Sequence, residues 1–390
     1  MVANWQYKKI ADVCSVLTDG NWIESKDQSP DGIRLIQTGN IGNGVFKDKG
    51  DKARYISEET FERLSCTEIF EGDVLVSRLP EPIGRSCILP KLEQRTVTAV
   101  DCSILRFKKD LLNKFFVYFT LSPAYDRALK NYITGSSRKR ISRSNLGLIK
   151  VPVPPIEDQQ RIVDELDLLT GIIDKKNAQL RDLDALAQSI FYEIFGDPFV
   201  HEKNWAMKRL KDLGKVITGN TPSTKDSKNY ESKDFCFFKP SDISKDGVTT
   251  LDTSEYYISS YAFEKARQLP KGSVLTTCIG IVGKVGILAH TATCNQQINA
   301  IIPESVDSSW LAYAILSRRE IISEMANAPV VPIINKGDFS DILVPVPPIG
   351  LQKEFASKVG DIDKQKSIIL DSLKDSEKLL NSRMDYYFND

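Results

Sequence analysis

The hexapeptide VPVPPI occurs twice, at residues 151–156 and 344–349, and each copy opens a stretch of heptad-spaced apolar residues. After the first copy come Ile162, Leu166, Leu169, Ile173, Lys176, Leu180, Leu183, Ala187, Ile190 and Ile194, in alternating steps of four and three. An unbroken pattern of that kind belongs to a helix burying a narrow stripe against a partner helix. It predicts one helix from Ile156 to Phe195, roughly 60 Å long at 1.5 Å per residue. Pro154 and Pro155 set the start, because proline suits a first helical turn and forces the residue before it to be extended. Gly196, Asp197 and Pro198 set the end. The second copy leads into Phe355, Val359, Ile362, Ile369, Leu373, Leu380 and Tyr387, with Lys366, Ser376 and Arg383 as polar interruptions.

The repetition extends to the whole chain. Trp5, Lys8, Lys9, Ile10, Asp12, Val13, Val16 and Thr18 are echoed 200 residues later by Trp205, Lys208, Arg209, Leu210, Asp212, Leu213, Val216 and Thr218. Gly72, Val74 and Leu75 match Gly272, Val274 and Leu275 at the same offset. Ile141, Arg143 and Ile149 match Ile334, Lys336 and Ile342 at an offset of 193. The expected order is therefore globule, helix, globule, helix, divided at residues 1–150, 151–198, 199–343 and 344–390. Two helices of equal period in one chain most simply bury their stripes on each other, antiparallel; an intermolecular coiled coil is the alternative.

Each globule reads as α+β. In the first, residues 31–41, 71–77 and 97–107 carry strand and turn signals, and residues 113–132 shift to helical spacing with a break at Pro123. The second repeats the order at 235–243, 272–277, 285–288 and 297–302, then a helix near 309–326.

Several chemistries fall away. Seven cysteines are scattered singly with no C-x-x-C pair, which implies reduced thiols in a cytoplasm and no zinc site. Only His201 and His290 are present, far apart, which argues against a histidine cluster. Residues 1–10 lack a signal-peptide layout, and the apolar run 279–289 is too short to cross a bilayer. Gly280, Gly283 and Gly286 invite a phosphate-loop reading, but Val285 follows Lys284 where Ser or Thr is required, so a turn between two strands is expected. No Asn-Pro-Pro-aromatic or Asp-Pro-Pro-aromatic motif of the amino-methyltransferase kind occurs, nor a nucleolytic carboxylate-lysine core. No cofactor is expected.

Charge points to a polyanion. Residues 135–144 (GSSRKRISRS) hold four cations and no acid, among hydroxyls suited to phosphate oxygens. The first helical stretch, 156–198, has ten acids and four bases, a net of −6, and residues 350–390 have eight and seven, a net of −1. Since lysine plus arginine balance aspartate plus glutamate at 52 each, the remainder of the chain carries +7. Positive charge is thus concentrated on the globules.

Two variable globules, two helices each entered through VPVPPI, the following Gln159 and Gln352, and the W-x-x-K-K/R-L/I-x-D opening together resemble the specificity subunit of a type I restriction-modification system. The resemblance covers the whole chain. It implies two pseudo-twofold-related α+β target recognition domains joined by two long antiparallel coiled-coil helices. Each domain would read half of a split double-stranded DNA target. Two methyltransferase (modification) subunits would dock on the helices, with restriction (translocase and endonuclease) subunits joining them, and the chain itself would not be catalytic. The rival classes are a stand-alone DNA-modifying enzyme and a coiled-coil adaptor without DNA affinity.

Polar residues leaving the strands and turns are the expected base readers: Gln37, Asn40, Asn43, Ser77, Arg78 and Arg85 in the first domain, and Lys239, Ser241, Asp242, Thr276, Thr277, Lys284 and Gln296 in the second. Arg138, Lys139, Arg140, Arg143 and Lys336 are the expected phosphate or groove contacts.

Overall fold

The VPVPPI copies form the same structure twice. In the computed structural model, which describes residues 5–135, 139–197, 203–326 and 331–389, strand Lys150–Val153 pairs antiparallel with Gln6–Lys9. Strand Leu343–Val346 pairs in the same way with Ala206–Arg209. Proline is tolerated here because each ribbon has only two strands, so the missing N–H faces no partner. The proline pair then releases the chain into helices Ile156–Phe195 and Ile349–Phe388, each 40 residues long, so the first helix spans its expected bounds.

The glutamine that follows each proline pair is buried and ties the helix start to its globule. Gln159 donates to the carbonyls of Asp110 and Pro154, both at 2.8 Å, and accepts from the Leu112 N–H at 2.8 Å. Gln352 donates to Pro347 at 2.8 Å and accepts from the Asp307 N–H at 2.9 Å.

The chain divides into two compact units, Met1–Asp174 with Lys374–Asp390, and Lys175–Leu373. Each contains one globular region and part of both helices. In the first unit a four-stranded antiparallel sheet runs Cys14–Asp19, Cys102–Phe107, Val74–Ser77, Ser86–Ile88. A second sheet runs Arg54–Ile56, Ile33–Ile36, Thr96–Thr98, Glu68–Ile69. In the second unit the corresponding main sheet has five strands, Gly214–Thr218, Ile298–Pro303, Val274–Thr277, Val285–Leu288 and Val248–Leu251. Its smaller sheet has three, Tyr257–Ile258, Phe235–Phe238 and Thr293–Cys294. The glycine-rich run is a hairpin, as its motif mismatch implied. Two short helices follow each main sheet, Asn113–Thr120 with Pro123–Lys130, and Ser308–Leu316 with Arg319–Met325.

The helices supply wall to each core. Ile162, Val163 and Leu166 join Met384, Tyr387 and Phe388 around Phe115, Phe116 and Phe119 in the first unit. Ala187, Phe191 and Phe195 join Phe355, Val359 and Ile362 around Trp310 and Tyr313 in the second. Near its end the first helix thus buries Phe191 and Phe195 more deeply than the expected seam residues Ile190 and Ile194, because the globule as well as the partner helix packs on it. Within the second unit Lys176 bonds the Ser372 carbonyl at 2.8 Å, Lys366 pairs with Asp184 at 2.6 Å, and Phe191 meets Phe355 edge-on. One partner number rises as the other falls, so the helices are antiparallel there. In the first unit Arg383 pairs with Glu165, and the Tyr387 hydroxyl donates to the same carboxylate at 2.5 Å.

Candidate nucleic-acid interface

In each unit the expected site residues gather around one hairpin. The Ser77 N–H donates to the Arg85 carbonyl at 2.9 Å and the Gly84 N–H returns to Ser77 at 2.8 Å. Thr277, Lys284 and Gly283 repeat this at 3.0 and 2.9 Å. Gly84 and Gly283 have φ of 80° and 77°, the left-handed region. A Cβ at Gly84 would also lie 2.9 Å from the Tyr125 hydroxyl, so glycine alone closes the turn there. Beyond this neck the tips stand in solvent: Pro80, Glu81 and Pro82 in the first unit, Gly280 and Ile281 in the second. Ile281 is 59% exposed.

A cation at the neck fastens the hairpin to the turn that follows strand Ile33–Ile36 in the first unit and Phe235–Phe238 in the second. Arg85 donates from Nε to Ile41 at 2.7 Å, from Nη2 to Thr38 at 2.8 Å, and from Nη1 to Leu79 at 3.0 Å and Pro82 at 2.7 Å. Lys284, nearly buried, donates to the Pro240 carbonyl. Burial, opposed by no nearby carboxylate strong enough to offset it, holds both cations below their usual pKa. The turns are capped alike: the Gln37 N–H donates to Asn40 Oδ1 at 3.0 Å, and the Lys239 N–H to Asp242 Oδ2 at 2.7 Å.

These bonds correct part of the sequence expectation. Asn40, Ser77, Arg78, Thr276, Thr277 and Lys284 are buried, and Arg85 directs its donors at main-chain carbonyls. Arg78 reaches the Val100 carbonyl at 2.6 Å and pairs with Asp19 at 3.3 Å. Thr277 Oγ1 accepts from the Lys284 N–H at 3.0 Å and donates to Ile281 at 2.6 Å. Short strands that end in tight turns leave carbonyls without ladder partners, and Asn40, Ser77, Arg78, Thr277, Lys284 and Arg85 satisfy them, while the buried Thr276 hydroxyl bonds none. They shape the face and do not present polar atoms to a ligand.

The others remain accessible. Asn43, Lys139, Arg140, Arg143, Ser241, Gln296 and Lys336 are exposed, and Gln37, Lys239 and Asp242 are half-buried. Lys239 lies 3.2 Å from the Tyr256 ring centroid, and Gln296 accepts from the Thr221 hydroxyl at 2.5 Å. Arg138 lies outside the described residues. The segment carrying Lys139 and Arg140 is joined to the hairpin, because the Ile141 N–H donates to Arg78 at 3.2 Å. In the second unit the Ile334 N–H donates to Cys278 and the Gly280 N–H to Pro332, both at 3.0 Å. Arg143 and Lys336 then each occupy the first position of a short helix. Turn, hairpin tip and incoming segment thus form one face per unit.

Residues 3–182 and 202–376 match the family described as "Type I restriction modification DNA specificity domain". The chain belongs to this family. It is 30% identical over 164 residues to the type I restriction enzyme HindI specificity subunit of Haemophilus influenzae, a match spanning 41% of this chain and 36% of that relative. It is 26% identical over 286 residues to the EcoR124I/EcoR124II specificity subunit of Escherichia coli, covering 70% and 69% of the two chains. The crystal structure of the type I restriction-modification S subunit from M. genitalium shares its fold, with a TM-score of 0.55 and 14% identity over 99% of this chain and 96% of that one.

For a specificity subunit, the residues that sequence reasoning missed are at the hairpin tips. Glu81 and Ile281 sit 200 residues apart, the offset that relates Ser77 to Thr277 at the entry to each tip. Their signal was a turn between two strands holding a lone residue between prolines in one copy and between glycines and valine in the other. Elsewhere the cysteines are buried, and burial pushes the Cys87 and Cys102 thiols up to about 12. Among the described residues no group of three or more His, Cys, Asp or Glu is placed to hold a metal, and no helix is long and apolar enough to cross a membrane.

Proposed function

We propose that the chain is the non-catalytic DNA-specificity subunit of a type I restriction-modification complex, each unit reading one half of a bipartite duplex target. The observation that carries this is the duplicated face: two hairpins with the same neck bonds, each fastened to a capped turn and to a segment leading into a short helix. In the first unit Lys139, Arg140 and Arg143 would contact phosphates, which position a duplex without specifying sequence. In the second, Lys239 and Lys336 would do so. Gln37, Asn43, Ser241 and Gln296 are the accessible polar candidates for base edges, the Asp242 carboxylate being taken up by the Lys239 N–H and the Ser254 hydroxyl. The helix pair would set the spacing of the half-sites and dock two methyltransferase subunits, with restriction subunits joining them. Exposed apolar side chains on the helices, Leu168 at 66% and Ile368 at 70%, support a docking role.

A charge of +7 shared by two globules neutralises few phosphates. The chain alone should therefore bind duplex weakly and gain sequence specificity only with methyltransferase subunits. Titrating labelled duplexes at several salt concentrations, with and without those subunits, checks this. Nanomolar, sequence-specific binding by the chain alone at physiological salt would contradict it.

A further inference from the structure

The two hairpin tips occupy equivalent places and differ in chemistry. Strand register is the same, Val76 opposite Ser86 and Thr276 opposite Val285. The neck bonds are the same, and the glycine before the staple cation has positive φ in both. Each tip is held from inside. Arg85 grips the Leu79 and Pro82 carbonyls on either side of Glu81, and Thr277 grips the carbonyl of Ile281 itself. A tip whose main chain is fixed in this way loses little backbone freedom on meeting a ligand. Glu81 is exposed, and none of the described residues pairs with it. The segment carrying the exposed Lys139 and Arg140 joins the same hairpin at its neck, through the Ile141 N–H and the Arg78 carbonyl, and no ion pair from it reaches Glu81 among the described residues. In the second unit Ile281 is flanked by the segment carrying Ile333, bridged to Ile279 and itself 48% exposed.

We infer that these tips are base-reading elements, Glu81 accepting from an exocyclic amino group in one half-site and Ile281 packing on a thymine methyl in the other. This rests on the duplex-binding role proposed above. In the major groove a carboxylate can only accept, and the amino groups of cytosine and adenine are the donors it meets; guanine and thymine present acceptors there. An aliphatic side chain finds its complement in the thymine C5-methyl group. A carboxylate aimed at phosphate would be repelled, so an exposed, unpaired Glu81 at the tip suits a base edge and not the backbone.

The test is selection from a random duplex pool by the full chain purified with its methyltransferase subunits, comparing wild type with Glu81→Ala, Glu81→Gln, Ile281→Ala and Ile281→Gln. Wild type should recover a bipartite sequence. Glu81→Ala should relax one base pair of one half-site roughly tenfold, and Glu81→Gln should move that position toward adenine, which glutamine bonds with both its donor and its acceptor. Ile281→Ala should relax one thymine of the other half-site about fivefold. If both alanine variants recover the wild-type sequence at undiminished discrimination, the inference fails while the proposed function stands. A variant pair that binds no duplex, glutamine included, assigns the tip to holding the fold and equally overturns it. If wild type itself selects no sequence, the proposed function has failed, and the inference with it.

Discussion

The two recognition faces agree inside and disagree outside. Asn40 and Asp242 cap equivalent turns, Arg85 and Lys284 staple equivalent hairpins, and Gln159 and Gln352 fasten equivalent helix starts. Outside, the first face shows Glu81, Lys139, Arg140 and Arg143, and the second shows Ile281, Val331, Ile333 and Lys336. The duplicated fold has kept the cap and staple bonds that satisfy its main chain, through Asn40 or Asp242 and Arg85 or Lys284, and changed the hairpin tips that meet solvent. That division is what the proposed reading, one architecture serving two different half-sites, requires.

The staples offer the sharpest way to break the comparison. Arg85 serves four carbonyls and Lys284 one among the bonds described, so Arg85→Ala should cost about 3 kcal/mol and Lys284→Ala about 1 kcal/mol. Urea unfolding of the full chain measures both. Losses near zero for both would mean that the two hairpins are held by their neck bonds and glycines alone, and equal large losses would mean that the number of carbonyls served does not set the cation's contribution.

A smaller effect separates the helix pairs. In the first unit Arg383, hydrogen-bonded to Glu165, holds that carboxyl below the usual glutamate range, aided by Tyr387. A depressed folded-state pKa contributes stability that is present above the ordinary value of about 4.3 and is lost as pH falls through the folded one. Glu165 is about one-third exposed, so the contribution should stay under about 1 kcal/mol. In the second unit burial pushes the Asp363 carboxyl up, beside Lys366 and Asp184. The sign reverses there: stability is lost as pH rises from the ordinary aspartate value through the raised one. Urea midpoints across pH 3 to 7 should therefore show Glu165→Gln destabilising near neutrality and converging on wild type in acid, with Asp363→Asn gaining over wild type as pH rises. Parallel curves for the two variants would remove the distinction.

Much of this architecture was legible because it rests on local periodicity. The four-three spacing marked Ile156–Phe195, and the offsets of 200 and 193 marked the duplication, whereas the paired ribbons at each helix start were not legible, because VPVPPI by itself reads only as a helix entry. What sequence could not show was the direction a polar side chain takes at a strand end. Arg85 and Arg140 look alike as cations near turns, yet one is turned onto four carbonyls and the other into solvent. The difference is made by chain segments 44 and 47 residues away, Ile41 and Thr38, whose carbonyls lack ladder partners. Phe191 and Phe195 show the same limit on an apolar face. A heptad identifies the stripe facing a partner helix, and the rings lie beside it because Tyr313 of the globule packs on that end together with Phe355 of the second helix.

The central claim is that one chain carries two readers and brings a methyltransferase to the sequence they define together. Sequencing methylated bases across the genome, in host cells with this gene and in the same cells lacking it, tests that claim most directly. The account predicts a methylated motif of two short specified parts around an unspecified spacer, present with the gene and absent without it. An unchanged methylation pattern in a host that still makes the methyltransferase subunits would contradict it.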